Sequence, residues 1–202
     1  MQIPINLVFE DELSEFVLTK LLCQFGNKFN TGVSYNGRGF GYIKSKIVGF
    51  NQACVATPFL ILTDLDNRKC PIDLINDWFN GAIHKNMIFR IAVREVESWL
   101  LADIEGLAKF LRISPAKFPQ EPELEPDPKR TLINLARRST MKSIREDIVP
   151  INHNAQIGPN YNGKLSEFVL GSWDLNRAMD RSRSLAKAYQ RLREFKYTLP
   201  PN

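Results

Sequence analysis

An α/β fold is what this sequence predicts: a mainly parallel sheet flanked by helices, with a helical C-terminal half. Three observations carry the prediction. Short apolar runs rich in Ile, Leu, Phe and Val recur at 3–9, 58–64 and 87–93, which is the pattern of buried strands. Stretches with helical apolar spacing stand between them, so the chain reads as βαβ units. Beyond residue 128 the periodic stretches are all helical, with an irregular stretch, Ile151 to Gly163, among them.

The elements follow in order. Ile5-Asn6-Leu7-Val8-Phe9 marks a first strand over 3–9. Leu13, Phe16, Val17, Leu21 and Leu22 give a helix over 12–25, with Gly26 as its stop. Residues 27–42 are polar and glycine-rich, and Phe29 with Val33-Ser34-Tyr35 offers a strand there. Asn36-Gly37-Arg38-Gly39-Phe40-Gly41 reads as a flexible loop before a helix of about 42–54. A third strand ends in Asp64. Pro71 opens a helix that runs to about Phe79. Met87 to Val93 is a fourth strand, Arg94 to Ala102 a helix, and Asp103 a cap for Ile104 to Leu111. Pro115, Pro119, Pro122, Pro126 and Pro128 interleave with acids, which no helix tolerates. Later helices are expected at about 129–139, 141–148, 164–171 and 175–195. The expected organisation is therefore a core of 1–113, a Pro- and acid-rich linker of 114–128, and a helical part of 129–202.

Bulk properties narrow the functional classes. The 202 residues suffice for one α/β domain with an appended part. No apolar run reaches the roughly 20 residues of a membrane helix, and Met1-Gln2-Ile3-Pro4 has no secretory character. Cys23, Cys54 and Cys70 are odd in number and widely spaced, which suits reduced thiols. A cytoplasmic, membrane-free protein is the expectation. Two histidines, His84 and His153, argue against a His-based zinc centre. The net charge of +5 lies wholly in residues 103–202, where 17 Lys and Arg stand against 12 Asp and Glu. Such an excess favours phosphate-bearing partners, nucleic acid among them.

The chemistry concentrates in acids at strand ends. Asp64-Leu65-Asp66 closes the third strand, and Glu10-Asp11-Glu12 follows the first. Like charges this close raise one another's pKa unless a cation sits between them. Mg²⁺, or Mn²⁺ in its place, takes carboxylate oxygens readily. In parallel sheets ligands bind beyond the carboxyl ends of the strands, where these acids fall. Glu10, Asp64 and Asp66 are the expected catalytic set. Asp11 and Glu97 are candidates to complete the metal shell, with Glu97 preferred over Glu95. The competing reading is plain helix capping, which suits Asp11 and Asp66. Gly37-Arg38-Gly39-Phe40-Gly41 offers a backbone phosphate cradle without the Walker lysine. Arg38 and Lys44 near it, and Lys129 and Arg130 further on, are candidate phosphate contacts. A solvated surface is the alternative for each.

With those residues in view, the chain resembles the Toprim family, whose pattern is a glutamate after strand one and a D-x-D after a later strand. Glu10, Asp64 and Asp66 match it. Phe9 to Glu15, Thr63 to Asp66 and Val96 to Asp103 also resemble a bacterial Toprim-like family, domain of unknown function 4276. The resemblance covers roughly residues 3–112 and departs at Asp11, where Toprim proteins carry glycine. It implies a Rossmann-like Toprim core and a Mg²⁺-dependent nuclease, similar to the overcoming-lysogenization-defect nucleases. It also implies a role in anti-phage defence beside an ATPase partner. Two other functions stay open. One is a phosphotransfer enzyme, of phosphatase or receiver type, with Asp64 as the phosphorylated nucleophile. The other is a Toprim-shaped binding or sensor protein without catalysis.

Overall fold

Four strands, β1 (Ile3–Phe9), β2 (Phe29–Asn36), β3 (Phe59–Asp64) and β4 (Met87–Ala92), form an all-parallel sheet in the order β2-β1-β3-β4. The expected α/β class is therefore observed. The structure, a computed structural model, describes residues 2–152 and 154–199. His153 lies outside the described residues. The chain divides into two compact units. One comprises the residues up to Val93 together with those from Lys187 onward, and the other runs from Arg94 to Ala186.

In the first unit α1 (Glu12–Cys23), α2 (Phe40–Ala53) and α3 (Pro71–Trp78) connect the strands. The chain moves from β1 outward to β2, then crosses back over β1 to β3 and on to β4. Right-handed crossovers then put α1 on one face of the sheet and α2 with α3 on the other. The packing on that second face agrees. Ile43, Ile47 and Phe50 of α2 and Leu74 and Trp78 of α3 share a core with Val8, Phe59, Ile61, Phe89 and Ile91. Side chains alternate along each strand, so Val8, Ile61 and Phe89 sit on one face and their neighbours on the other. The strands of the sheet centre are buried on both faces, which is why they read as unbroken apolar runs.

The chain's end completes this unit. Lys28 Nζ donates to the carbonyls of Leu192 (2.7 Å) and Arg193 (2.6 Å). Asn86 exchanges two hydrogen bonds with the Thr198 backbone, at 2.9 and 3.0 Å. Tyr189 packs on Phe25, and Phe195 stacks on Phe29.

The second unit contains α4 (Val96–Ala102), α5 (Ile104–Leu111), α6 (Pro128–Ala136), α7 (Lys142–Ile148), α8 (Tyr161–Gly171) and α9 (Leu175–Arg181). It also holds the start of α10 (Arg183–Glu194), whose later turns belong to the first unit. Trp99, Leu100, Leu132, Leu165 and Phe168 are fully buried there. Asp103, also fully buried, accepts from Gly106 N–H (3.0 Å), Asp174 N–H (2.8 Å) and Arg177 Nε and Nη2 (2.7 and 3.1 Å). One carboxylate thus caps α5 and ties α9 to it.

Several element bounds differ in detail from the sequence reading, three of them at positions that bear on the architecture. The polar stretch after Gly26 holds a strand of eight residues, exposed because β2 is the sheet edge. The helix expected at 42–54 begins at Phe40. The long last helix is two helices divided at Ser182, whose backbone is extended and whose hydroxyl accepts from Leu185 N–H (3.2 Å). Ser182 and Ser184 also donate to Glu123, both at 2.7 Å, which holds the break in place. Glu123 belongs to one of two 3₁₀ turns in the proline-rich stretch, Pro115–Lys117 and Pro122–Leu124.

Candidate active site at the carboxyl ends of β1 and β3

The strand order places a topological switch between β1 and β3. From β1 the chain leaves toward α1 on one face, and from β3 toward α3 on the other. The two departures diverge and open a crevice at the carboxyl ends, which is where α/β sheets bind ligands. Glu10 and Asp11 follow β1 at this point. Asp64 ends β3, and Asp66 lies in the turn beyond it.

Register brings the first pair together. Val8 stands opposite Ile61, so two residues further on Glu10 stands opposite Thr63, on the same face. Glu10 Oε1 accepts from the Thr63 hydroxyl and from Asp64 N–H (2.9 Å). The carboxylate thereby bridges the ends of two strands that are neighbours in the sheet. Burial pushes the Glu10 carboxyl above its ordinary value. The bonds from Thr63 and Asp64 pull it down, and the charges of Asp66 and Asp11 push it up further. A cation here would relieve every upward influence except burial.

Leu65 explains the spacing of the D-x-D. Its side chain is buried in the core and its N–H donates to Ala92 O at 2.9 Å, while Asp64 and Asp66 on either side remain partly exposed. Asp66 has a left-handed backbone, φ 51°, which Asp tolerates better than most residues. By strand alternation Asp64 projects from the face opposite Thr63 and Glu10. Among the described residues no three His, Cys, Asp or Glu side chains form a group able to hold a metal ion. Mg²⁺, however, is commonly held by one or two carboxylates, with water and substrate phosphate completing its shell. The all-oxygen donor set and the raised Glu10 carboxyl suit such an ion.

The glycine-rich loop belongs to the same crevice. Gly37 N–H donates to Phe9 O (2.8 Å) and Gly39 N–H to Glu10 O (3.0 Å). A side chain at Gly37 would meet Ile43 Cγ1 at 3.0 Å and Phe9 O at 3.2 Å, and Gly39 has φ 110°. Both positions therefore need glycine. The loop feeds directly into α2, so the N-terminus of a 14-residue helix lies next to Glu10.

The remaining candidates are engaged, exposed or part of the second unit. Asp11 caps α1, accepting from Ser14 N–H at 2.9 Å. Arg38 is exposed within the loop. Lys44 pairs with Asp77 at 2.8 Å, beside Arg68. Glu97, Lys129 and Arg130 belong to the second unit. There Glu97 is buried and accepts from the Tyr161 hydroxyl (2.9 Å), with Lys129 Nζ at 3.5 Å. Glu95 accepts from Lys129 N–H at 3.0 Å, and burial, reinforced by Glu97, pushes its carboxyl up to about 7. Arg130 is exposed. Two partners escaped the sequence reading. Thr63 carried a signal, since alternation from the D-x-D puts it on the Glu10 face. Tyr161 carried none, lying 64 positions from Glu97.

Comparison with protein-family profiles, with curated proteins and with solved structures gives no match to this chain.

Proposed function

We propose that the chain is a Mg²⁺- or Mn²⁺-dependent phosphodiesterase of Toprim type that cleaves nucleic acid. The observation that carries this reading is the Glu10 carboxylate, hydrogen-bonded to Thr63 and Asp64 across the switch point of a parallel sheet. Glu10 and Asp66, whose charges are felt together, would hold the cation, with Asp64 entering its shell through water, and the ion when bound would polarise a phosphate oxygen. Thr63 and the Asp64 amide fix the Glu10 carboxylate so that its second oxygen can accept a proton from an attacking hydroxyl or water. The backbone amides entering α2 beside Glu10 would receive a non-bridging phosphate oxygen. Arg38 and Lys44 remain the proposed basic contacts to the phosphate. A cytoplasmic setting and an ATPase partner in phage defence belong to the same proposal.

The test is cleavage of end-labelled single-stranded DNA, duplex DNA and RNA with Mg²⁺ or Mn²⁺. Activity lost in Asp64→Ala supports the reading, and activity unchanged in that variant ends it. The strand order also favours a second reading, because receiver-type proteins share it and carry an acid at the end of the third strand. Asp64 would then take up a phosphoryl group, and labelling by acetyl phosphate that vanishes in Asp64→Asn would decide for it.

A further inference from the structure

A cavity of about 740 Å³ opens within the second unit. It lies far along the sequence from the acidic strand ends, and none of Glu10, Asp64 or Asp66 lines it. Its volume falls in the range of small-molecule sites, about 300–1,000 Å³. Part of its wall is apolar, with Phe110 and Ile113 after α5's middle and Met141 and Ile144 from the α7 side. Phe110 is held from behind by Phe168, ring centroids 5.3 Å apart.

The charges on the wall decide what the cavity takes. Glu105 pairs with Arg181, and Glu167 pairs with Lys164, which also faces Asp147. Arg177 is claimed by Asp103 and Asp174. Lys109 and Arg112 are left, both exposed and without an ion-pair partner among the described residues. They stand three residues apart at the C-terminal end of α5. Arg112 occupies the left-handed cap position, φ 56° and ψ 46°, where glycine is the residue of least strain. A left-handed arginine without an ion pair, beside an aromatic wall, motivates a binding hypothesis.

We propose that this cavity binds a nucleoside phosphate, with the phosphates on Lys109 and Arg112 and the base against Phe110. This site is independent of the chemistry at the strand ends. The experiment is calorimetric titration of the full chain with ADP in EDTA, with adenosine and pyrophosphate as separate arms. EDTA removes any divalent ion, so binding at the acidic crevice through a metal does not contribute. Wild type should bind ADP more tightly than either fragment. Lys109→Ala and Arg112→Gly should each weaken ADP by about ten- to hundredfold, the loss of a charge-assisted bond. Arg112→Gly relieves the backbone strain, so its loss of binding cannot come from unfolding. Phe110→Leu should weaken ADP and leave pyrophosphate unchanged. No ADP binding by wild type at millimolar concentration would overturn the proposal. So would equal affinity for ADP and pyrophosphate, or unaltered ADP binding in Arg112→Gly.

Discussion

Thr63→Val removes one hydroxyl and almost nothing else. The two side chains have nearly the same shape, and Thr63 is buried, so the substitution leaves no cavity. What it deletes is the hydrogen bond from Thr63 to Glu10 Oε1. That bond is charge-assisted when Glu10 is ionised, worth roughly 1.5–3 kcal/mol, and neutral when Glu10 is protonated, worth roughly 0.5–1.5 kcal/mol. The variant should therefore lose about 1 kcal/mol more stability at pH 8 than at pH 4. The sign follows from linkage. Glu10 in the folded chain lies above its ordinary 4.5, so between those two values the folded state holds a proton that the unfolded chain has released. Stability then falls as pH rises through that window, and the cost is complete above the folded value. Thr63 holds the carboxyl down, so Thr63→Val moves the upper edge of the window higher. Urea denaturation in EDTA at a series of pH values measures both effects. A destabilisation that is the same at pH 4 and pH 8 would refute the reasoning, because it would show that Thr63 does not serve the ionised carboxylate.

Asp103→Ala strands the buried Gly106 N–H and the part-buried Asp174 N–H and removes the anchor of Arg177, so thermal or urea unfolding should show a loss on the order of 3–5 kcal/mol. Gly106→Ala should destabilise by about 1–3 kcal/mol in the same assay, since its Cβ would meet Asp103 Oδ2 at 2.1 Å while Arg177 holds that carboxylate still. Glu95→Gln should stabilise the chain above pH 7 and not at pH 4. The folded Glu95 value of about 7 lies above the ordinary 4.5, so stability falls as pH rises between them, by on the order of 1–2 kcal/mol after discounting for its partial exposure. Urea midpoints at pH 4 and pH 8 report the difference.

The features visible in the amino-acid order are those set by local periodicity. β1, β3 and β4 announce themselves because a parallel sheet buries both faces and leaves unbroken apolar runs. Glu10 and Asp64 could be placed at carboxyl ends for the same reason. β2 was only half visible: as an edge strand its exposed positions carry Asn, Thr, Gly and Ser, so its apolar signal reduces to Phe29, Val33 and Tyr35. The break at Ser182 was hidden within a continuous helical pattern from 175 to 195. It depends on Glu123, about sixty residues earlier, accepting from two serines. The burial of Asp103 was hidden likewise, because Asp103 reads locally as a helix cap and only the fold supplies Arg177 and the Asp174 amide. Long-range polar partners of this kind leave no periodic trace. Glu97 illustrates the limit: its first-turn position was plain, and its hydroxyl partner at Tyr161 was not.

The acidic crevice stands or falls on its affinity for a hard divalent ion. Electron paramagnetic resonance of free Mn²⁺ during titration of the full chain measures it directly. Wild type should take up Mn²⁺ stoichiometrically, and the paired substitution Asp64→Asn with Asp66→Asn should abolish the uptake while circular dichroism stays unchanged. Equal uptake by the wild type and the paired variant would contradict the account.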